Sequence, residues 1–323
     1  MIMAETESQK GGLEKMENIA EKDRERDCKG GCRMDSPGVL FMPQVPRWGI
    51  QEVAVYGPQE GNPFTERRIR GCFQGKNETV EAEGFYDGEG RYLVRFMPSF
   101  EGEYRFEIRA DFLEEEERGS FRVLPAEAGN HGPVRVANTW HFAFEDGTPY
   151  YPVGTTCYVW ELQDDARIEE TLNSLKEAGF NKIRFCVFPK HYDYNLREPR
   201  SYPYEGTPMD SSVLTKENFW EYTGKTEGNH WDFTRFNPAH FQHMEKCIAA
   251  LGKLGIEASW GELEARPFSA LHPGGNARLR PGSPASGMGR GLLCAADGGG
   301  KCSVQLLSVL LQLYAAFLPG FLF

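Results

Sequence analysis

The spacing of hydrophobic residues has a period of two in the first half of the chain. Between residues 46 and 124, Tyr104, Phe106 and Ile108 alternate with charged residues, which is typical of a strand with one buried face. Similar runs occupy 51–56, 91–97 and 121–123, and turn-forming residues separate them. This spacing predicts a small Ig-like β-sandwich over residues 46–124. The acidic run 114–117 is interpreted as a solvated hairpin tip, and a metal site there is the less favoured alternative.

From residue 141 onward the pattern changes to strands that alternate with helices. Asp146-Gly147 predicts a tight hairpin, and 150–157 is predicted to be a buried strand. Asp164-Asp165 can cap a helix that ends at Gly179, and Asn237-Pro238 can begin another that ends at Gly255. Strands are predicted at 182–188 and 256–258. The order strand, helix, strand, helix, strand is the beginning of a parallel α/β fold.

Three further segments lack these periodic patterns. Residues 1–45 are polar and charge-dense, and we expect a disordered N-terminal extension. Residues 125–140 are predicted to be a linker, because Pro, Gly and Asn are frequent in their first half. The tail, 259–323, holds 11 of the 36 glycines but only 3 of the 47 acidic residues. The abrupt change predicts a tail that is not homologous to the rest, as a shifted reading frame would produce. A genuine linker with a membrane anchor at 304–323 is the alternative.

Composition restricts the classes of function. The chain has 323 residues and a net charge of −11, which argues against a nucleic-acid partner because phosphate binding needs clustered Lys and Arg. Of the eight cysteines, only Cys28 and Cys32 are closely spaced, and no second pair completes a zinc site. The first residues lack the apolar core of a signal peptide. We therefore expect a cytoplasmic protein without a metal, a cofactor or a membrane partner; the oligomeric state is open.

Nine motifs between residues 46 and 258 carry a resemblance to known proteins. They are Arg47-Trp48-Gly49, Gly61-Asn-Pro-Phe64, Gly84-Phe-Tyr-Asp-Gly88, Arg95-Phe-Met-Pro98, Gly129-Asn-His-Gly-Pro-Val134, Asp146-Gly-Thr-Pro149, Gly154-Thr-Thr-Cys-Tyr158, Phe188-Pro-Lys-His-Tyr-Asp-Tyr-Asn195 and Trp231-Asp-Phe-Thr-Arg-Phe-Asn-Pro238. Together they resemble one family of bacterial proteins classed as glycoside hydrolases. In that family an N-terminal Ig-like domain of unknown function precedes an apiosidase-like (β/α)8 barrel.

The resemblance implies a multidomain β and α/β protein with an incomplete barrel. The sandwich would be followed, in residues 141–258, by only the first three β/α units of a (β/α)8 barrel. Family members are expected to use two carboxylates about 5 Å apart, one of them a Glu preceded by Asn on the fourth strand. The recognisable pattern stops in the third strand. The acids of the tail, Glu262, Glu264 and Asp297, match neither carboxylate. No catalytic residue is therefore predicted.

One wall of a sugar-binding site is predicted at the carboxyl ends of the first two barrel strands. Tyr158 and Trp160 follow the first strand, and Lys190, His191 and Tyr192 follow the second. Aromatic rings can stack on sugar rings, and Lys or His can hydrogen-bond sugar hydroxyls. In the alternative interpretation, the two aromatic residues only pack the top of the barrel, and the loop after the second strand is only solvated.

Two other polar pairs are interpreted structurally rather than functionally. Asp232 and Arg235 are predicted to form an ion pair before the second helix. His240 and His243 lie beside an apolar helix face and lack a third metal ligand.

Three functions are compatible with the sequence. The preferred hypothesis is a glycoside hydrolase-like protein of carbohydrate metabolism that recognises an oligosaccharide or glycoside but is inactive. The alternative is a non-catalytic sandwich module that binds carbohydrate or protein. The third is a protein tethered to a membrane through residues 304–323.

Overall fold

The computed structural model describes residues 39–187, 197–207, 215 and 230–261. These residues form a two-sheet β-sandwich, a small three-stranded antiparallel sheet and a parallel sheet with helices. Two hydrophobic clusters fill the sandwich and the α/β part respectively. The described part of the chain is thus rich in β-structure and has few helices.

The sandwich consists of a four-stranded and a five-stranded sheet. Their strand orders are β1-β3-β7-β6 and β2-β9-β8-β4-β5, and only the β2–β9 pair is parallel. The strands are β1 (Val39–Phe41), β2 (Gln44–Pro46), β3 (Gln51–Tyr56), β4 (Ile69–Gln74), β5 (Thr79–Glu83), β6 (Phe85–Tyr86), β7 (Arg91–Phe96), β8 (Gly102–Ala110) and β9 (Glu117–Leu124).

The predicted alternation in the sandwich is confirmed. In β8 the side chains of Tyr104, Phe106 and Ile108 are buried, while Arg105 and Arg109 are exposed. The acidic run falls in the connection between β8 and β9, where Glu116 forms ion pairs with Arg109 and with Arg118, each with a 2.6 Å N–O distance. It is therefore a solvated turn, as predicted.

Ordered structure begins before residue 46, where the sequence placed the start of the sandwich. Val39, Phe41 and Val45 of β1 and β2 are buried, and β1 pairs with β3. The predicted extension 1–45 was therefore too long at its carboxyl end. Strands of three residues are too short to show a period of two, which explains the error. The rest of that extension, 1–38, lies outside the described residues.

A small antiparallel sheet connects the sandwich to the α/β part. Its strands are β10 (Val134–Ala137), β11 (His141–Phe144) and β12 (Pro149–Tyr150). The predicted hairpin is confirmed, because Gly147 has a φ of 89° in the turn between β11 and β12. Strand β10 lies within the segment 125–140 that was predicted to be a linker.

The α/β part contains three parallel strands in the order β13-β14-β17. A long connection between β14 and the last helix carries the antiparallel pair β15–β16. The strands are β13 (Gly154–Thr156), β14 (Lys182–Cys186), β15 (Tyr204–Thr207), β16 (His230–Phe236) and β17 (Glu257–Gly261). The helices of the chain are α1 (Pro63–Glu66), which lies in the sandwich, α2 (Asp165–Glu177) and α3 (Pro238–Lys253), and a 3₁₀ helix spans Trp160–Leu162.

The predicted helix signals are largely confirmed. Asp164 caps α2 by accepting a hydrogen bond from the Arg167 N–H, and Gly179 follows the helix with a φ of 70°. Pro238 is the first residue of α3. Asn237 makes no capping side-chain bond; its side-chain amide donates to the Tyr202 carbonyl at 3.0 Å instead.

The predicted buried strand at 150–157 is wrong as a single element. The chain leaves β12 after Tyr150, and residues 151–153 are exposed before β13 begins at Gly154. Within the described residues, β13 has a strand neighbour on one side only. A strand at the edge of a sheet can be exposed, whereas a central strand of a parallel sheet is buried. The apolar run 150–157 therefore did not guarantee that this segment is buried. That these units begin an eight-stranded barrel stays a prediction.

The sandwich and the α/β part share packing. Phe64 belongs to the hydrophobic cluster of the α/β part, and its ring meets Phe236 edge-on at 5.6 Å. Phe85 and Tyr86 also pack against that cluster. This interface is therefore apolar, and it holds the sandwich beside α3 and the β15–β16 pair.

Candidate functional site at the carboxyl ends of the parallel strands

The carboxyl ends of β13 and β14 are held side by side beyond the regular ladder. The Cys157 N–H donates to the Arg184 carbonyl at 2.8 Å, and the Cys186 N–H donates to the Tyr158 carbonyl at the same distance. Ligands of parallel α/β sheets bind at this edge, because the loops that follow the strands meet there. The edge is therefore where a functional site is expected.

The structure separates the two aromatic residues that follow β13. Tyr158 is 39% exposed at the edge, whereas Trp160 is only 4% exposed and meets Phe185 edge-on at 6.4 Å. The burial of Trp160 agrees with the packing alternative, and a role for Trp160 in sugar contact stays a prediction. Lys190, His191 and Tyr192 lie outside the described residues, as do Glu262, Glu264 and Asp297.

Glu161 is a feature that the sequence analysis missed. Glu161 is 1% exposed, and neither of its carboxylate oxygens has a hydrogen-bond partner among the described residues. Burial raises the pKa of the Glu161 carboxyl well above its usual value. Burial therefore favours the uncharged form of this carboxyl. A charged residue inside the apolar run 159–162 was the signal that could have revealed it.

Two histidines of α3 contact the connections that follow β13 and β14. His243 Nε2 lies 2.6 Å from the Glu161 carbonyl oxygen, so that nitrogen carries the proton. His240 Nδ1 lies 2.9 Å from the Ser201 hydroxyl, and burial lowers the pKa of His240 to about 4. In the described ranges, no three His, Cys, Asp or Glu side chains are arranged to hold a metal ion. His243 therefore contacts the loop that contains Glu161, whereas His240 contacts Ser201.

The β15–β16 pair forms an aromatic wall beside the same edge. Tyr204 of β15 and Phe233 of β16 have ring centroids 5.1 Å apart. Trp231 of β16 packs on Tyr202, two residues before β15, with centroids 4.7 Å apart. Phe233 is half exposed. Because this pair belongs to the connection from β14 to α3, it stands at the carboxyl edge of the sheet. The β15–β16 pair was not predicted from the sequence, since its residues show no regular alternation.

Contacts from the sandwich support the aromatic wall. The Asn62 amide donates to Thr234 Oγ1 at 2.9 Å, and the Arg235 guanidinium donates to the Gly61 carbonyl. The predicted ion pair is confirmed, with Arg235 Nε 3.7 Å from an Asp232 carboxylate oxygen. Hydrogen bonds from the Thr234 hydroxyl and N–H lower the pKa of Asp232. Asp232 is thus occupied in shaping the wall.

The chain is similar to a family of known sequence and to solved structures. Residues 44–111 match a family model described as a domain of unknown function, DUF5060. A glycoside hydrolase candidate from Bacteroides vulgatus ATCC 8482 is 40% identical, with a TM-score of 0.60, over 68% of this chain and 41% of that one. The chain resembles a glycoside hydrolase-like protein. It spans less than half of that protein's length.

Two further solved structures that match are much less similar. The Lin-41 filamin domain is 15% identical over 25% of this chain and 83% of that chain. A β-galactosidase candidate from Bacteroides fragilis is 15% identical over 50% of this chain and 26% of that chain. Both have a TM-score of 0.21, which carries no argument about fold or function. No curated protein matches the chain. Within the described ranges, no helix has the length and apolar character required to cross a membrane.

Proposed function

We propose that this chain is a glycoside hydrolase-like protein of carbohydrate metabolism that binds an oligosaccharide or glycoside without hydrolysing it. The proposal rests on two observations: the aromatic wall of β15–β16 and the exposed Tyr158 at the carboxyl edge of the parallel sheet. Aromatic side chains on a rigid scaffold are suited to stack on the apolar face of a sugar ring. The 40% identity to the Bacteroides vulgatus protein supports a carbohydrate ligand.

The finer parts of the proposal concern architecture. We propose that the sandwich is Ig-like and that β13, α2, β14, α3 and β17 are the first units of a (β/α)8 barrel. The three parallel strands follow one another in chain order, with a helix in each connection, which supports that arrangement. Lys190, His191 and Tyr192 would extend the wall after β14.

The proposed lack of hydrolysis depends on the carboxylates. Hydrolysis with retention needs an acid and a nucleophile about 5 Å apart. The Glu161 carboxyl is buried, and the sequence after residue 258 contains no Asn-Glu pair. Without the pair, the acid–base contribution of about 10²- to 10⁴-fold is missing. We therefore expect binding without turnover.

The test is binding of the full chain to a glycan array, with hydrolysis of aryl glycosides measured in parallel. We expect saturable binding that Tyr158→Ala and Phe233→Ala each weaken at least fivefold, and no turnover. Phe100→Ala is the control, because Phe100 is an exposed aromatic residue of the sandwich. Binding lost only in Phe100→Ala would favour the sandwich module. Turnover that Glu262→Ala or Glu264→Ala abolishes would overturn the proposed inactivity.

A further inference from the structure

Two neighbouring side chains at the carboxyl edge of the sheet carry buried polar atoms without partners. They are Trp160, whose indole N–H makes no hydrogen bond within the described part of the chain, and Glu161, of which this is true for both carboxylate oxygens. Buried polar groups nearly always have a partner, because an unpaired one loses its hydration without compensation. Two unpaired groups side by side therefore make the observed conformation of this segment locally unfavourable.

Both residues lie in a short segment, 159–163, which we call the edge loop. It contains the 3₁₀ helix Trp160–Leu162, which has no side-chain cap at its N-terminus. The chain is anchored on either side of the loop, since the Tyr158 carbonyl accepts from the Cys186 N–H at 2.8 Å and Asp164 caps α2. A movement confined to the edge loop would therefore leave the sheet and α2 in place.

The contacts that hold the edge loop do not involve the Glu161 carboxyl. The Glu161 carbonyl oxygen lies 2.6 Å from His243 Nε2, and the Leu162 carbonyl accepts from the Arg200 N–H at 3.2 Å. Leu162 and Trp160 are buried. Apolar packing and bonds to backbone carbonyls thus favour the observed, closed position of the loop, while the enclosed carboxyl opposes it.

The titratable and charged groups that face the buried carboxyl come from β13, α2, α3 and the connection before β15. The thiols of Cys157 and Cys247 interact with it electrostatically, and burial raises the pKa of both thiols, that of Cys247 to about 11. His243 contacts the loop backbone, while Arg200 and Asp165 form an ion pair with each other at 2.8 Å. In the described ranges, no cation bonds to the carboxyl itself. Its ionisation would therefore enclose a negative charge that has no bonded partner.

We propose that the edge loop is a proton-controlled gate of the candidate site. With Glu161 protonated, the loop is closed as observed, and Trp160 packs edge-on against Phe185. When the carboxyl loses its proton to water, the carboxylate regains hydration only if the loop opens. Opening frees both unpaired groups and brings Trp160 towards the exposed Tyr158, where a sugar ring can stack on the indole. The gate itself needs no sugar, but its use by a sugar rests on the proposed function.

The open form of the edge loop should become more populated as the pH rises. Burial raises the pKa of Glu161 well above its usual value in the closed form, whereas the hydrated carboxyl of the open form keeps its usual pKa. Between these two pKa values the open form gains on the closed form by up to about tenfold per pH unit. The loop is therefore closed in acid and opens towards alkaline pH.

The experiment is hydrogen exchange of the full chain between about pH 5 and about pH 9, read by mass spectrometry on peptides within 157–164. The N–H groups of Leu162 and Gln163 report on the loop, because they bond to carbonyls inside it. After division by the intrinsic exchange rates, we expect the protection of these peptides to fall at least tenfold across this range. Peptides of β8 should show no such fall.

Three variants identify the group that controls the gate. Glu161→Gln should abolish the fall in protection, because the amide does not ionise. Glu161→Met should abolish it as well and should protect the loop more than the parent does, because no unpaired polar atom is left in the enclosure. Glu170→Gln, at an exposed carboxylate of α2, is the matched control and should keep the parental fall.

A flat pH profile of the edge loop in the parent would overturn the inference, and so would a fall that persists in both Glu161 variants. A fall that His243→Gln removes and Glu161→Gln keeps would assign the proton to the histidine and also reject the proposal. Glycan binding on the array without a loop transition rejects the gate and leaves the proposed function standing. A Glu161-dependent transition without array binding supports the gate and contradicts the proposed function.

Discussion

Arg95 of the sandwich binds Glu245 of α3 through two hydrogen bonds. The distances are 2.7 Å from Nη1 to Oε1 and 3.2 Å from Nη2 to Oε2. The same guanidinium donates from Nε to Glu52 at 2.8 Å and lies over the Phe85 ring. Because the Arg95 side chain is buried, the pair replaces water at the interface between the two parts of the chain. One side chain thus connects β7, β3 and α3.

Removing this guanidinium should be strongly destabilising. Arg95→Ala leaves the Glu245 carboxylate, which is 16% exposed, without the Arg95 guanidinium. Glu52 keeps its ion pair with Arg91. Removing one partner of a buried ion pair typically costs about 3–5 kcal/mol. The measurement is the free energy of unfolding in urea at pH 7. Arg118→Ala is the matched control, since that side chain is 68% exposed and its ion pairs lie in solvent, where they contribute little to stability. Similar losses in the two variants would contradict a special role for Arg95.

Asp87 should make the protein less stable as the pH rises from about 4 to about 6. Burial raises the pKa of Asp87 from 3.8 to about 6, against the opposing charge of Arg91. In this window the folded state keeps a proton that the unfolded state releases, so stability falls by up to about 3 kcal/mol. Asp87→Asn should therefore gain stability relative to the parent between pH 4 and pH 6. Urea unfolding at four pH values checks this, and a constant difference would contradict it. Glu103→Gln, at an exposed carboxylate, is the control.

His240 should make the protein more stable as the pH rises from about 4 to about 6.5. Burial lowers the pKa of His240 from 6.5 to about 4, so the unfolded state binds a proton that the folded state refuses. Stability is then fully present above about pH 6.5 and is lost, by up to about 3 kcal/mol, as the pH falls towards 4. His240→Gln should remove this loss, although it costs stability at pH 7. A variant that stays as acid-sensitive as the parent would contradict the assignment.

Local patterns predicted the elements better than they predicted the contacts. Alternation identified β8 because Tyr104, Phe106 and Ile108 share one buried face. The cap at Asp164 identified α2. The Arg95–Glu245 pair joins residues 150 positions apart, so no local pattern contains it. Phe64 lies in a turn-like sequence yet packs in the cluster of the α/β part.

The candidate site was only partly predictable for the same reason. Tyr158 follows a recognisable strand, and its position could be inferred from the sheet edge. Glu161 is one turn farther on, and a glutamate is normally expected at the surface, so its burial depends on packing against α3. The β15–β16 pair lies within a long connection without periodicity. These features come from tertiary packing rather than from local preference.

The turn before the small sheet should tolerate no side chain at Gly132. Its φ is +77°, and an added Cβ would lie 2.6 Å from the buried Trp48 ring. Gly129 has a similar φ of +87° but no atom within 4 Å of an added Cβ. Gly129→Ala should therefore cost only the backbone strain of about 1–2 kcal/mol, and Gly132→Ala about 1–3 kcal/mol more from overpacking. Urea unfolding followed by tryptophan fluorescence compares them, and equal losses would contradict the Trp48 contact.

The start of the sandwich can be tested with two fragments. Residues 39–124 contain β1 and β2, whereas 46–124 lack the buried side chains of Val39, Phe41 and Val45. Each of these side chains contributes about 1.5–3 kcal/mol when fully buried, and loss of β1 also opens the edge of β3. We expect a cooperative thermal transition for the longer fragment and a much lower midpoint, or none, for the shorter. Phe64 and Tyr86 lose their packing partners from the α/β part in both fragments. This loss therefore cancels when the two midpoints are compared. Equal midpoints would show that the sandwich does not need its first two strands.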